Sequence, residues 1–325
     1  MKEGLIFANA RAKAKEGNLL TTERLMRMTE CKTLSDAMRI LLEINYGGGL
    51  VPDGEDFYTL LGEEERIATS FVRETVPEGA GFECFFLRND YHNIKVLFKA
   101  KYAGIKEYGA MLLPDGNYDF SYLKERFEQG KLDFSPFVAE ACAIIDRAFE
   151  TGAGSPRLID TVLDKALYKE IDSLLSKDAD KYIKEYFTVF IDATNISSYL
   201  RTLKIGAGNK FFEEGFLEGG SIPLKTFTDC NGDIAKLTKE LSNNPCKDFL
   251  ATVNDGDMAS YETAQDNFLL GIFAVNKTDM FSVAPILGYY LAKLNEIKVI
   301  RVVLVCIKNK VPRDQMRKRV RELYA

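Results

Sequence analysis

The sequence has one histidine, His92, among 325 residues. Histidine-rich metal sites, Cys/His/Asp triads and paired imidazole bases would all have to share that residue, which removes most of the usual catalytic chemistry. Cysteine is scattered: positions 31, 84, 142, 230, 246 and 306 contain no Cys-x-x-Cys pair. Neither a zinc ribbon nor a thioredoxin-like redox motif fits, and buried, reduced thiols are expected. No apolar run reaches the roughly 18 residues of a membrane span, and the first 17 residues lack the apolar stretch of a signal peptide. Any membrane contact is therefore expected to be peripheral. Asn-Gly or Asp-Gly turns between alternating apolar residues are almost missing, which argues against hairpin-built sheets. Proline is sparse, at 9 residues, with none between Pro156 and Pro223.

What is present is ordinary globular composition: 46% hydrophobic, 28% charged, and a net charge of −5. An acidic whole does not suit a phosphate-coating surface, so nucleic acid is not expected as a partner. The proline-free stretch predicts two long antiparallel helices, about Arg157–Ser176 and Asp178–Ile205. In the second, Tyr182, Tyr186, Val189, Ala193, Ile196, Leu200 and Leu203 alternate at spacings of four and three, a continuous helical seam. Gly206-Ala-Gly208 supplies its stop, as Gly47-Gly48-Gly49 does for an earlier helix. Neither glycine run has phosphate-loop spacing. Ser155 and Ser221 lie in Gly/Pro-containing turns without a nucleophile-elbow pattern. The segment Ile297–Ile307 is rich in β-branched residues and, taken alone, reads as a buried strand.

Internal repetition resolves that ambiguity. Asn93, Asn195 and Asn295 fall in register, 102 and 100 residues apart, and each is followed six residues later by a base, Lys99, Arg201 or Arg301. A weaker N-terminal copy pairs Asn9 with Lys15; Asp90 and Asp192 precede two of the asparagines by three residues, where the third copy has Ala292. Downstream come Leu113-Pro114, Ile222-Pro223 and Val311-Pro312, and Leu20-Thr21-Thr22-Glu23 in the N-terminal copy, all helix-starting patterns. By this register Ile297–Ile307 is helix. The expected fold is all-α, with three quasi-equivalent units, residues 1–106, 107–208 and 209–325, and chain ends near one another. A feature that recurs at equal spacing suits structure better than chemistry, so the repeated asparagines are expected to satisfy backbone groups. The alternative use is a magnesium site built from Asp90, Asn93, Asp192 and Asn195 in a helical enzyme.

The segment Lys308–Arg321 carries seven bases against one acid, Asp314. It suits a solvated last turn that pairs with the acidic body, or a docking surface for an acidic partner, anionic lipid heads or, less readily, nucleic acid. Arg317, Lys318 and Arg319 are the candidate docking residues.

The stretch Pro285-Ile-Leu-Gly-Tyr-Tyr-Leu-Ala-Lys293-Leu-Asn-Glu-Ile-Lys-Val-Ile-Arg301, with its earlier copies at Asp90–Lys99 and Asp192–Arg201, resembles the C subunit of V-type and A-type ATPases, the family that includes the d subunit of the eukaryotic V-ATPase. The opening Phe7-Ala-Asn-Ala-Arg11, followed by Leu19-Leu20, is similar to that family's opening. The resemblance implies a funnel of long helices with pseudo-threefold symmetry. It implies a non-catalytic rotor adaptor on the cytoplasmic face of the membrane, seated on the proteolipid ring and receiving the central shaft made of the D and F subunits. No catalytic, cofactor or metal residue and no small-molecule substrate is implied. A helical-repeat scaffold of another complex is the competing reading.

Overall fold

The computed structural model describes residues 2–175, 179–252, 258–317 and 323–324. Among these, every regular element is a helix and none is a strand. The chain opens with α1 (Lys2–Glu16), α2 (Thr22–Glu30), α3 (Leu34–Glu43) and α4 (Phe57–Thr75). It continues through α5 (Glu83–Ala103), α6 (Phe120–Glu128), α7 (Pro136–Glu150), α8 (Pro156–Leu175) and α9 (Lys181–Lys204). Four short helices follow, α10 (Asn209–Gly215), α11 (Leu224–Cys230), α12 (Ile234–Glu240) and α13 (Lys247–Ala251), then α14 (Met258–Val275), α15 (Ala284–Lys308) and α16 (Arg313–Arg317).

Local chemistry sets many of these boundaries. Thr21 and Thr33 cap α2 and α3 by accepting the backbone N–H groups of Arg24 and Asp36, and the Thr33 hydroxyl donates to the Asp36 carboxylate at 2.6 Å. Ser135 caps α7, with Pro136 in its first turn, where a missing N–H costs nothing. Helix α5 ends on Gly104 at φ 67°, a left-handed stop that a side chain would strain. Helix α3 ends at its cap Ile44 with Asn45 left-handed at φ 57°, so the expected glycine stop comes later, the glycines at 47–49, all at positive φ, lying in the short turn Tyr46–Gly49.

Packing divides the chain into two compact units, residues 1–80 with 259–325, and 81–258. In the first, α15 lies against α1 and α4. Seventeen of its 25 residues are buried, leaving one open stripe through Lys298, Arg301 and Lys308, and helical burial overrides the strand preference of its β-branched run. Ile297, Ile300, Val303 and Leu304 share a core with Leu25 and Met28 of α2, Leu41 of α3 and Leu60 of α4.

In the second unit α8 packs on both α5 and α7. Lys95 and Lys99, one turn apart on α5, meet Asp164 and Asp160, one turn apart on α8, at 2.5 and 2.6 Å, which fixes the antiparallel register of the pair. Along α9 the predicted seam is real: six of its seven residues are buried and Leu203 is half-buried. Phe85 of α5 meets Tyr186 and Phe187 of α9 with ring centroids 5.1 Å apart in both cases. The six cysteines are free thiols, four buried and Cys31 and Cys142 half-buried; burial pushes Cys84 and Cys142 up to about 12, far from reactive thiolates.

Candidate functional site

The repeated asparagines act as backbone clamps. Asn93, buried on α5, accepts the Leu113 N–H and donates to the Leu113 carbonyl, both at 2.9 Å. Asn195, buried on α9, does the same to Leu217 at 2.9 and 2.8 Å. A primary amide matches a backbone residue's donor and acceptor at once, so one side chain ties down one loop residue completely. The aspartate three residues earlier shares the helix face and grips the loop farther on. Asp90 accepts the N–H groups of Asn117 and Tyr118 at 2.8 and 3.1 Å; Asp192 accepts the Ile222 N–H at 3.0 Å and the Ser221 hydroxyl at 2.6 Å.

Glycine completes each grip. A Cβ on Gly116 would lie 2.1 Å from Asp90 Oδ1, and one on Gly220 would lie 2.2 Å from Asp192 Oδ1. The loop backbone can reach the carboxylate only where a side chain is absent. Nothing in the spacing of Asn and base points to these glycines, although both lie three residues or fewer from residues the clamps hold.

A third amide of this kind is Asn9 on α1, which is fully buried. It donates to the carbonyls of Met280 and Ser282, both at 2.9 Å, and accepts the Ile286 N–H at 3.1 Å. Asn295 is half-buried on α15, beside a different device. There Lys293, 2% exposed, contacts Glu296 at 2.6 Å and Glu64 of α4 at 2.9 Å. Glu296 accepts the Leu20 N–H at 2.5 Å and Glu64 accepts the Gly47 N–H at 2.8 Å. One ammonium thus joins α15 to α4 and, through the carboxylates, to the turns that enter α2 and leave α3. Burial alone would lower the Lys293 pKa, but the Glu296 and Glu64 charges outweigh it and raise it, while burial raises Glu296 against the pull of Lys293.

The repeat's bases also meet carboxylates. Lys99 pairs with Asp160, and Arg301 pairs with Glu65 of α4 at 3.9 Å; Arg201 is exposed and lines a cleft in the second unit. His92 uses Nε2 to contact the Met111 carbonyl at 2.8 Å. In the basic segment, Arg313 meets Glu30 of α2 at 2.8 Å and Arg317 meets the same carboxylate. Lys318 and Arg319 lie outside the described residues.

Chemically, then, Asp90 spends both oxygens on loop N–H groups and Asp192 spends its own on the Ile222 N–H and the Ser221 hydroxyl, and no group of three or more His, Cys, Asp or Glu among the described residues could hold a metal ion. The arrangement immobilises chain. Residues 8–319 match the family described as ATP synthase (C/AC39) subunit. The chain belongs to that family. As a C/AC39 subunit it is similar to the C subunit of the V-type sodium ATPase of Enterococcus hirae, with 24% identity over 97% of this chain and 98% of that one. It is also similar to the C subunit of the V-type ATP synthase of Thermus thermophilus, 24% identical over 75% of this chain and 77% of that one. A further relative is the C subunit of the A-type ATP synthase of Thermococcus gammatolerans, 25% identical over 91% of this chain and 84% of that one. The expected family and the all-helical fold are thereby established, and the protein is a subunit of a rotary ATPase. No helix among the described residues of this C/AC39 subunit is long and apolar enough to cross a membrane.

Proposed function

We propose that this chain is the non-catalytic rotor adaptor of its ATPase, joining the central shaft of the D and F subunits to the membrane proteolipid ring and transmitting rotation for ion transport. It would work at the cytoplasmic face, held to the membrane through protein partners. Near end-to-end correspondence with chains named as C subunits carries this reading. The physical requirement is stiffness between two gripped faces, because a compliant joint would absorb torque as bending. Buried amide and carboxylate clamps on α1, α5 and α9 support it by fixing loops that would otherwise be the soft points of a helical assembly. With it go three pseudo-threefold units, residues 1–106, 107–208 and 209–325, the clamps of Asn9 and Asn93 falling in the first and that of Asn195 in the second.

Within this role the basic segment is a docking element for an acidic partner surface. Arg317, Lys318 and Arg319 would contribute charge to it, with Arg317 exchanging or sharing Glu30. The decisive experiment is reconstitution of the ATPase head, the D–F shaft and the ring with and without this chain. ATP-driven ion transport should require it, while ATP hydrolysis by the detached head should not. Full coupling without the chain would refute the adaptor reading.

A further inference from the structure

The turn between α11 and α12 contains the only Asn-Gly pair in the sequence, Asn231-Gly232. Asn231 lies at φ 45° and ψ 46°, Gly232 at φ 88°, and the Asp233 N–H closes the turn by donating to the Cys230 carbonyl at 2.9 Å. Consecutive residues at positive φ make the pattern of a type I′ turn, for which asparagine followed by glycine is a preferred pair. Asn231 also closes α11, donating its N–H to the Thr228 carbonyl at 3.2 Å. The backbone therefore selects this dipeptide, since a β-branched or bulky side chain at either position would be strained.

The pair that suits the turn is also the pair most open to attack by one of its own atoms. Glycine puts no side chain beside its nitrogen, so the Gly232 amide can reach Cγ of the Asn231 side chain with little hindrance. The nitrogen gives its proton to solvent base and bonds to Cγ; the Cγ–Nδ2 bond breaks, and ammonia leaves after taking up a proton, which closes a cyclic imide. Water then opens the ring at one or other carbonyl, giving aspartate or, with the backbone rerouted through Cβ and Cγ, isoaspartate. The sum is asparagine plus water to carboxylic acid plus ammonia. Asn231 is exposed, so the water is at hand.

The folded chain restrains the nucleophile. The Gly232 N–H donates to the hydroxyl of Tyr199 at 2.7 Å. Tyr199 stands on α9, is 1% exposed, and packs against Phe212 of α10 and Phe227 of α11 with ring centroids 5.1 and 5.4 Å away. A side chain packed in this way has little freedom to follow the turn. The nitrogen must leave the phenol before it can lose its proton to solvent or swing towards Cγ.

We propose that Asn231-Gly232 is a site of spontaneous deamidation, and that the Tyr199 hydroxyl is the positioning group that slows the reaction in the folded protein. The modification needs no second enzyme and is independent of the adaptor role. Isoaspartate adds a methylene to the backbone, which spoils the turn and draws the Gly232 N–H away from Tyr199. The conversion thereby loosens the aromatic cluster that α9, α10 and α11 share.

The test holds the full chain in warm, mildly alkaline buffer, folded and in denaturant, and follows the peptide spanning Asn231 by mass spectrometry after digestion in acid, with the aspartate and isoaspartate products separated by chromatography. The unfolded chain should convert fastest and the folded wild type slowest. Tyr199→Phe, which loses one hydrogen bond, should convert about two- to tenfold faster than folded wild type with unchanged circular dichroism. Phe212→Leu loosens the same cluster but keeps the hydroxyl, and should stay nearer to wild type. No conversion at Asn231 in the unfolded chain overturns the site. A folded wild type that converts as fast as the unfolded chain overturns the restraint, and that comparison needs no variant. A Tyr199→Phe rate equal to that of wild type, or matched by Phe212→Leu, overturns the role of the hydroxyl.

Discussion

Replacing Asn195 by alanine removes a side chain that is 1% exposed and satisfies both backbone groups of Leu217, itself 5% exposed. Water cannot readily replace the amide, so a donor and an acceptor are left buried and unpaired. At about 1–3 kcal/mol for each of the two groups, the substitution should cost roughly 2–6 kcal/mol. The homologous Asn93→Ala breaks the same geometry, but Leu113 is 41% exposed and its backbone groups can recruit solvent. A cost nearer ~1 kcal/mol is expected there. Asn195→Asp should not rescue, because it keeps the acceptor for the Leu217 N–H while setting a buried carboxylate oxygen against the Leu217 carbonyl. Urea denaturation supplies the stabilities, and hydrogen exchange at the Leu217 and Leu113 amides locates the loss. If Asn93→Ala proves as costly as Asn195→Ala, or if the Leu217 amide keeps its protection in Asn195→Ala, burial is not what gives the clamp its strength.

Lys293→Met leaves Glu64 and Glu296 buried without their cation and should destabilise by about 3–5 kcal/mol, with Glu64→Gln and Glu296→Gln added to it recovering much of the loss in thermal melts. Because the folded Lys293 pKa is raised, its contribution is complete below its ordinary 10.5 and is lost as pH climbs through the folded value. Tyr289, pushed up to about 12 by burial, loses stability over the same alkaline range, so the lysine's share is the difference between wild type and Lys293→Met; parallel curves would refute it. Gly220→Ala should displace the Asp192 carboxylate and cost on the order of 1–3 kcal/mol, with Gly116→Ala acting likewise on Asp90; a melting temperature unchanged in both would show that the loops yield freely. Neutralising Arg317, Lys318 and Arg319 together should weaken assembly with the rotor most at low salt, as co-sedimentation across ionic strength would show.

The helical skeleton is readable wherever one stripe of a helix is buried, as along α9, because the apolar spacing there reports the core directly. Helix α15 is harder to read on its own: its exposed stripe is narrow, marked chiefly by Lys298, Arg301 and Lys308 and interrupted by Val302 and Val305, while the buried Lys293 and Glu296 blur the period, so its alignment with α5 and α9 identifies it. The clamps are half visible. Asn93 and Asn195 show as repeated positions, but their partners lie 20 and 22 residues away in loops whose spacing drifts between copies. Asn9 belongs to the weaker copy of the pattern, yet makes a full set of bonds because its partners come from residues 280–286, at the far end of the sequence. Glu64 sits in a run of three glutamates, which looks like a solvated surface; only the fold reveals that the middle member of Glu63-Glu64-Glu65 faces Lys293.

The first unit is assembled from the opening 80 residues and the closing 67. On a ribosome, α1 would emerge early and wait for Ser282 and Ile286, translated more than 270 residues later, before Asn9 could close its bonds. The contiguous second unit can complete itself in the meantime. The second unit should therefore fold before the first, leaving the apolar faces of α1–α4 as nascent surface that chaperones must shield until α15 has been made.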